Sequence, residues 1–226
     1  MALFVESETS QNTPSPTLVD MASRFGPMPW DRIRNTPSPG TASEADAIEI
    51  NERGESLCEL VDGVLVEKVM GFRESLLAGW LVRILGDFID KADLGIVLPP
   101  DAMMRLWPGC IRLPDVSFIS WERLPNREIP EGAAFDAGPD LAVEVISPGN
   151  TREELERKLS DYFKSGVRLV WYIYPKRSEV HVFTAVDQKT VLTLDQSIEG
   201  GDVLPGFTLP LKRLFGDSTG RKTNLN

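Results

Sequence analysis

Three side chains stand out for the chemistry that their types and positions allow: Asp115, Glu144 and Lys158. Glu144 is the only charged residue between Leu141 and Ser147, inside the most apolar run of the chain, PDLAVEVIS (139–147). A lone ionised carboxylate in such a run is costly unless it is paired, hydrogen-bonded or metal-bound. Alternation along a strand puts Asp140, Ala142, Glu144 and Ile146 on one face, and Leu141, Val143 and Val145 on the other. Taken alone, a structural carboxylate bonded to a neighbouring strand or helix explains Glu144 equally well. Asp115 follows Pro114 at the start of PDVSFIS, where Pro-Asp by itself does no more than open a strand. Its weight comes from pairing. If the two short apolar strands are neighbours, their carboxylates converge on one cation, and Mg2+ is typically held by one or two carboxylates plus waters and substrate phosphate.

Lys158 is the third member. Thr151 and Glu154 fit the pattern of a capping box, which starts a helix that Gly166 should end. At roughly 100° per residue, Lys158 falls about 60° from Leu155 and borders a buried stripe of Leu155, Leu159, Tyr162 and Phe163. Arg157 and Lys164 point the other way. The competing explanation of Lys158 is an exposed i,i+4 pair with Glu154, worth a few tenths of a kcal/mol. Two carboxylates and a lysine are what metal-assisted phosphodiester hydrolysis needs: a cation to polarise a phosphoryl oxygen and a positive group to orient water or stabilise phosphate charge. Tyr162, one turn beyond Lys158, can bond a phosphate or a carboxylate, although its position suits a core tyrosine better.

The elements that must position these residues read as a mixed α/β sheet flanked by helices. Residues 1–42 form a Pro/Ser-rich arm expected to be largely disordered, with residues 1–22 fully so. Phe25, Met28, Trp30 and Ile33 give it enough apolar mass to dock on the domain or on a second subunit. Ser43 caps a short helix from Glu44 to about Arg53. Asp62-Gly63 between two apolar runs predicts a hairpin with strands at about 56–61 and 64–69. Leu77, Leu81, Ile84, Leu85 and Phe88 predict an amphipathic helix ending near Lys91. Further strands are expected at 94–98, 102–107, 114–120, 139–147 and 167–174, with 121–138 a loop. EVHVFTA and TVLTL follow as strands. The domain spans 43–216, and 217–226 is a polar tail.

Composition limits the classes. The chain has 226 residues and a net charge of −10. Phosphate-backbone binding depends on Lys and Arg, so this charge opposes general nucleic-acid binding unless a local basic patch or a bound cation overcomes it. Cys58 and Cys110 read as buried free thiols rather than a disulfide framework, which suits a reducing cytoplasm. No apolar run is long enough to span a membrane. The single histidine, His181, excludes a His-rich zinc site and reads as a surface or edge-strand residue.

The ordered set ELVDG, LPDVSFIS, DLAVEVISPGNT and KLSDYFKSGVRLVWYIYP, spread over roughly residues 43–215, resembles the Uma2 family of the PD-(D/E)XK nuclease superfamily. The resemblance implies a restriction-endonuclease-like mixed sheet, Mg2+-dependent endonuclease activity on DNA with Mn2+ as a substitute, and a homodimer. By position Asp115 is the PD aspartate and Glu144 the acidic residue of the (D/E)XK element, both as metal ligands. The X-K portion here is Val145-Ile146, so the usual lysine is absent. In Uma2-like sequences a lysine on the following helix replaces it, and Lys158 matches that. Glu74 aligns with an early-helix histidine of many members and is either a further metal ligand or a surface glutamate. Glu59 matches the ELVDG glutamate and either contacts the metal shell or holds the hairpin. The alternative is a non-catalytic oligomeric binding or assembly module that keeps the fold.

Overall fold

A computed structural model describes residues 25–217. Helix α1, Glu44–Glu52, starts at Ser43, whose side chain and that of Asp46 cap each other's backbone. Strands β1 (Cys58–Val61) and β2 (Val64–Glu67) form the hairpin. Its turn holds positive φ at both Asp62 (49°) and Gly63 (72°), the primed geometry that follows strand twist. Glycine is required at 63, because a Cβ there would lie 2.5 Å from the carbonyl oxygen of Gly40.

Helix α2 is Phe72–Ala92. It leads to β3 (Gly95–Leu98), β4 (Met103–Trp107), β5 (Cys110–Arg112) and β6 (Val116–Ser120). The sequence reading lacked β5, whose three residues are too few to display a period. Residues 121–138 hold two single-turn 3-10 segments and the two-residue β7 (Ala134–Phe135). Then come β8 (Leu141–Val145), α3 (Arg152–Lys164), β9 (Leu169–Tyr174), β10 (Glu179–Ala185) and β11 (Gln188–Leu192). The chain continues through β12 (Ser197–Glu199), β13 (Thr208–Pro210) and α4 (Leu211–Asp217). No helix among the described residues is long and apolar enough to cross a membrane.

The strands form a six-stranded mixed sheet in the order β11-β10-β9-β8-β6-β3 and a five-stranded sheet in the order β2-β1-β5-β4-β7. In the larger sheet β6 and β8 are antiparallel neighbours, while β8 and β9 run parallel. Burial on both sides makes β8 apolar throughout except at Glu144. Leu141, Val143 and Val145 face a core closed by Leu77, Leu81, Leu85 and Ile89 of α2. Ala142 faces the opposite core, with Leu159 and Tyr162 of α3 and Met104, Leu106 and Cys110 of the second sheet. Helix α3 thus lies between the two sheets, and any polar group on that face of β8 must find its partners there.

Part of the segment read as an arm is packed. Phe25, Met28 and Ile33 are buried against Val61, Val64 and Val66 of the hairpin, and Trp30 is exposed. The expectations for residues 1–22 and 218–226 lie outside the described residues. Both cysteines are buried free thiols, and burial pushes Cys110 up to about 12. His181 departs from its expected place: β10 is not an edge strand, since β11 covers it, and the imidazole is only 12 % exposed.

The start of α3 carries a capping box between Thr151 and Glu154, and the Thr151 hydroxyl also donates to the Phe25 carbonyl at 2.7 Å. Thr151→Ala should therefore cost about 1–2 kcal/mol, measured as a lowered urea midpoint at unchanged slope.

Candidate functional site

Asp115 and Glu144 come from adjacent strands. The register that pairs Val116 with Val143 brings both carboxylates to the same end of β6 and β8. Glu144 is 4 % exposed and Asp115 2 %. Asp115 Oδ2 accepts the backbone N–H of Val145 at 2.5 Å, which ties it to the strand of Glu144. Its Oδ1 is ion-paired with Lys68 Nζ at 2.7 Å.

Lys158 reaches the pair from α3. Its ammonium lies 3.3 Å from each oxygen of Glu144 and 2.9 Å from Glu59 Oε1. The exposed pairing with Glu154 does not occur. Lys158 is buried, and Glu154 instead receives both ends of the Arg32 guanidinium at 3.0 and 2.8 Å. Tyr162 is a core residue whose hydroxyl also donates to Glu144 Oε1. Glu59, from β1, bonds Arg112 of β5 at 2.8 Å and accepts the Leu113 N–H at 3.2 Å. Arg112 continues to Asp161 of α3 through Nε at 3.1 Å. The two sheets and α3 are thereby joined through one buried ionic cluster.

Electrostatics follow from this burial. For Glu144, loss of water pushes the carboxyl above its usual range, against the pull of Lys158 and Lys68. For Glu59, burial also acts upward, but Lys158, Arg112 and Lys68 together hold it down to about 2. Lys158 is raised although burial opposes its charge, because Glu144 and Glu59 both favour the ammonium. Tyr162 is pushed well above its ordinary value by burial and by the charge of Glu144. A lysine held this way is a fixed cation and not a proton acceptor near neutral pH.

Among the predicted residues, Asp115, Glu144, Lys158, Tyr162 and Glu59 belong to this cluster. Glu74 does not join it. It sits in the first turn of α2, partly exposed, and lines a separate pocket of about 290 Å3 with Val69, Arg32 and Gly149. Sequence reasoning missed Lys68, Arg112, Arg32 and Asp161. Lys68 did carry a signal, since alternation puts it on the face of Val64 and Val66, both buried. Arg112 lay in the unforeseen β5, and Arg32 in the presumed arm.

The residues fit a hard divalent cation in part. Two carboxylates from adjacent strands are the oxygen donors Mg2+ takes, although Asp115 Oδ1 already has the Lys68 ammonium at 2.7 Å, with which a metal ion would compete. Among the described residues, however, no group of three or more His, Cys, Asp or Glu side chains is arranged to hold a metal. Among the described residues, Asp115 and Glu144 could thus offer a cation two carboxylates at most, and solvent or phosphate oxygens would have to complete the set.

The comparisons with known proteins agree with this architecture. The family model Uma2, described as "Putative restriction endonuclease", matches residues 43–212. A crystal structure from Anabaena variabilis, described as a "putative nuclease belonging to DUF820", superposes with a TM-score of 0.65 at 21 % identity. That match covers 73 % of this chain and 92 % of the other, and at this identity it establishes the fold. No curated protein matches the chain.

Two outcomes are expected. Lys158→Met leaves Glu59 and Glu144 buried without their shared cation, so chemical denaturation should register a loss of about 3–5 kcal/mol. Glu59 titrates in the fold at about 2 against 4.5 for the free group. Its stabilisation is thus fully present above about pH 4.5 and is lost as pH falls toward 2, on the order of 3 kcal/mol. Denaturation curves between pH 5 and 3 should show a flatter dependence for Glu59→Gln than for the wild type.

Proposed function

We propose that this chain, which belongs to the Uma2 family, is an endonuclease that hydrolyses phosphodiester bonds in DNA, with Mg2+ held by Asp115 and Glu144 and Mn2+ as a substitute. The observation that carries the reading is the placement of those two buried carboxylates at one end of two neighbouring strands. A bound divalent cation supplies Lewis-acid polarisation of the phosphoryl group. The protein's own residues do the rest. The Val145 N–H fixes the rotamer of Asp115, and Tyr162 and Lys158 fix that of Glu144. Such preorganisation means that the carboxylates need not reorient when charge develops.

The two lysines divide the work. Lys158 is enclosed between Glu59 and Glu144, so its role is to hold those carboxylates together. Lys68 follows the hairpin beside the exposed Val69, contacts Asp115, and has a side chain 7 % exposed against 3 % for Lys158. It is therefore the cation better placed to meet a substrate phosphate. Lys158, assigned by family position to the missing motif lysine, then acts on the metal ligands rather than on the substrate. We propose a homodimer acting in the cytoplasm as the setting for this activity.

One observation favours a second reading. Asp115, Glu144 and Glu59 each already have a lysine or arginine partner inside the chain, so the cluster is also complete as a structural clamp. A binding or assembly module would look the same.

Cleavage of plasmid or oligonucleotide DNA decides between them. The wild type should cut with Mg2+ or Mn2+, stop on chelation, and lose at least about a hundredfold in Glu144→Ala and Asp115→Asn, the scale seen when a single charge-stabilising group is removed from an active site. Equal behaviour of wild type and Glu144→Ala in every metal would leave the assembly reading. Lys68→Ala should lower kcat while calorimetric Mn2+ binding persists, whereas Lys158→Ala should disturb both.

A further inference from the structure

A cavity of about 770 Å3 lies outside the ionic cluster, between α3 and strands β9 and β10. Its lining includes Ile146 and Ser147, the residues that directly follow β8 and its Glu144. Its charge runs against that of the whole chain. The lining includes Arg152, which Glu156 neutralises at 2.6 Å. The lining charges then remaining are Lys176, Arg177 and Lys189 against Asp187. Lys176 and Lys189 are exposed and have no ion-pair partner among the described residues, and Arg177 has only a 3.7 Å contact with Glu179. In a chain of net charge −10, this is a local basic track.

The same wall is aromatic. Tyr174 and His181 lie with ring centroids 4.4 Å apart, and the Arg177 guanidinium sits 4.3 Å over the Tyr174 ring. Both rings are partly exposed. Aromatic rings beside a basic groove are how single strands are held, through stacking of unpaired bases and contacts to phosphates. A duplex turns its base faces inward, so its bases cannot stack on Tyr174. The cavity's volume also suits one or two nucleotides, not the width of a double helix.

We propose that this groove binds a single strand of nucleic acid, with phosphates along Lys176, Arg177 and Lys189 and a base against the Tyr174–His181 pair. The inference rests on the nuclease reading in one respect: the strand passes Ser147 and is led toward Asp115 and Glu144. An acidic protein thereby gains a substrate site through local charge. It also assigns the lone histidine a role in the groove.

The test is fluorescence anisotropy of the full chain with labelled oligo-dT, oligo-rU and a matched DNA duplex, in metal-free buffer across a salt series. The wild type should bind a single strand more tightly than the duplex, and comparison of dT with rU separates DNA from RNA. The surface variant Lys176→Glu/Lys189→Glu should weaken single-strand binding by about tenfold or more. It should also reduce the salt slope by about 1.4, since each phosphate contact on a single strand contributes about 0.7. Tyr174→Ala should remove the preference over duplex while keeping the slope. Glu144→Ala should bind like the wild type. Binding unchanged in the groove variants, tighter binding of duplex than of single strand, or no binding of either strand overturns the proposal. Single-strand binding through the groove without cleavage overturns the nuclease reading and leaves the groove standing. Cleavage that is indifferent to the groove variants does the reverse.

Discussion

The ammonium of Lys158 is almost entirely out of water and lies between Glu59 of one sheet and Glu144 of the other. The cost of burying three charged groups is recovered only while all of them keep their partners. Arg112 extends the same constraint to Asp161, so α3 is held to both sheets through charge as well as through apolar contact. The relative placement of the sheets, the rotamer of Glu144 and the position of Asp115 therefore depend on a small set of ion pairs that admits little adjustment. That rigidity is what a site aiming carboxylates at a phosphate requires, and it is also what a purely structural clamp would have. The geometry alone serves both purposes, and catalysis is what separates them.

Much of this architecture was legible in the sequence because local signals and tertiary demands agreed. The Asp62-Gly63 turn, the Ser43 and Thr151 caps and the apolar run around Glu144 each specify one local outcome. Alternation along β8 correctly divided its residues between the two cores. A helical wheel was enough to place Lys158 beside the buried stripe, because its departure from the stripe is small compared with the reach of a lysine.

What escaped the sequence was long-range pairing. Arg112 sits on a three-residue strand with no period to detect, and its partners Glu59 and Asp161 are far away in the chain. Arg32 sits among prolines and polar residues, whose composition says nothing of a guanidinium that must reach Glu154. Lys68 was visible as a lysine on an apolar face, but its partner Asp115 becomes apparent only once the hairpin and β6 are set side by side. Glu74, open between a metal ligand and a surface glutamate in the sequence, is carried by the start of α2 to a different pocket.

The bridge between Arg32 and Glu154 has a further consequence. The family match begins at residue 43, yet the residue that neutralises the cap of α3 precedes it, and so do the apolar side chains that cover the hairpin. The span of the family match and the packed unit therefore differ at their N-terminal edge. A chain trimmed to the start of the family match would keep every residue of the candidate site while leaving Glu154 a buried anion without its guanidinium partner. The segment before the boundary is part of the scaffold, tied to it by one guanidinium and three apolar side chains.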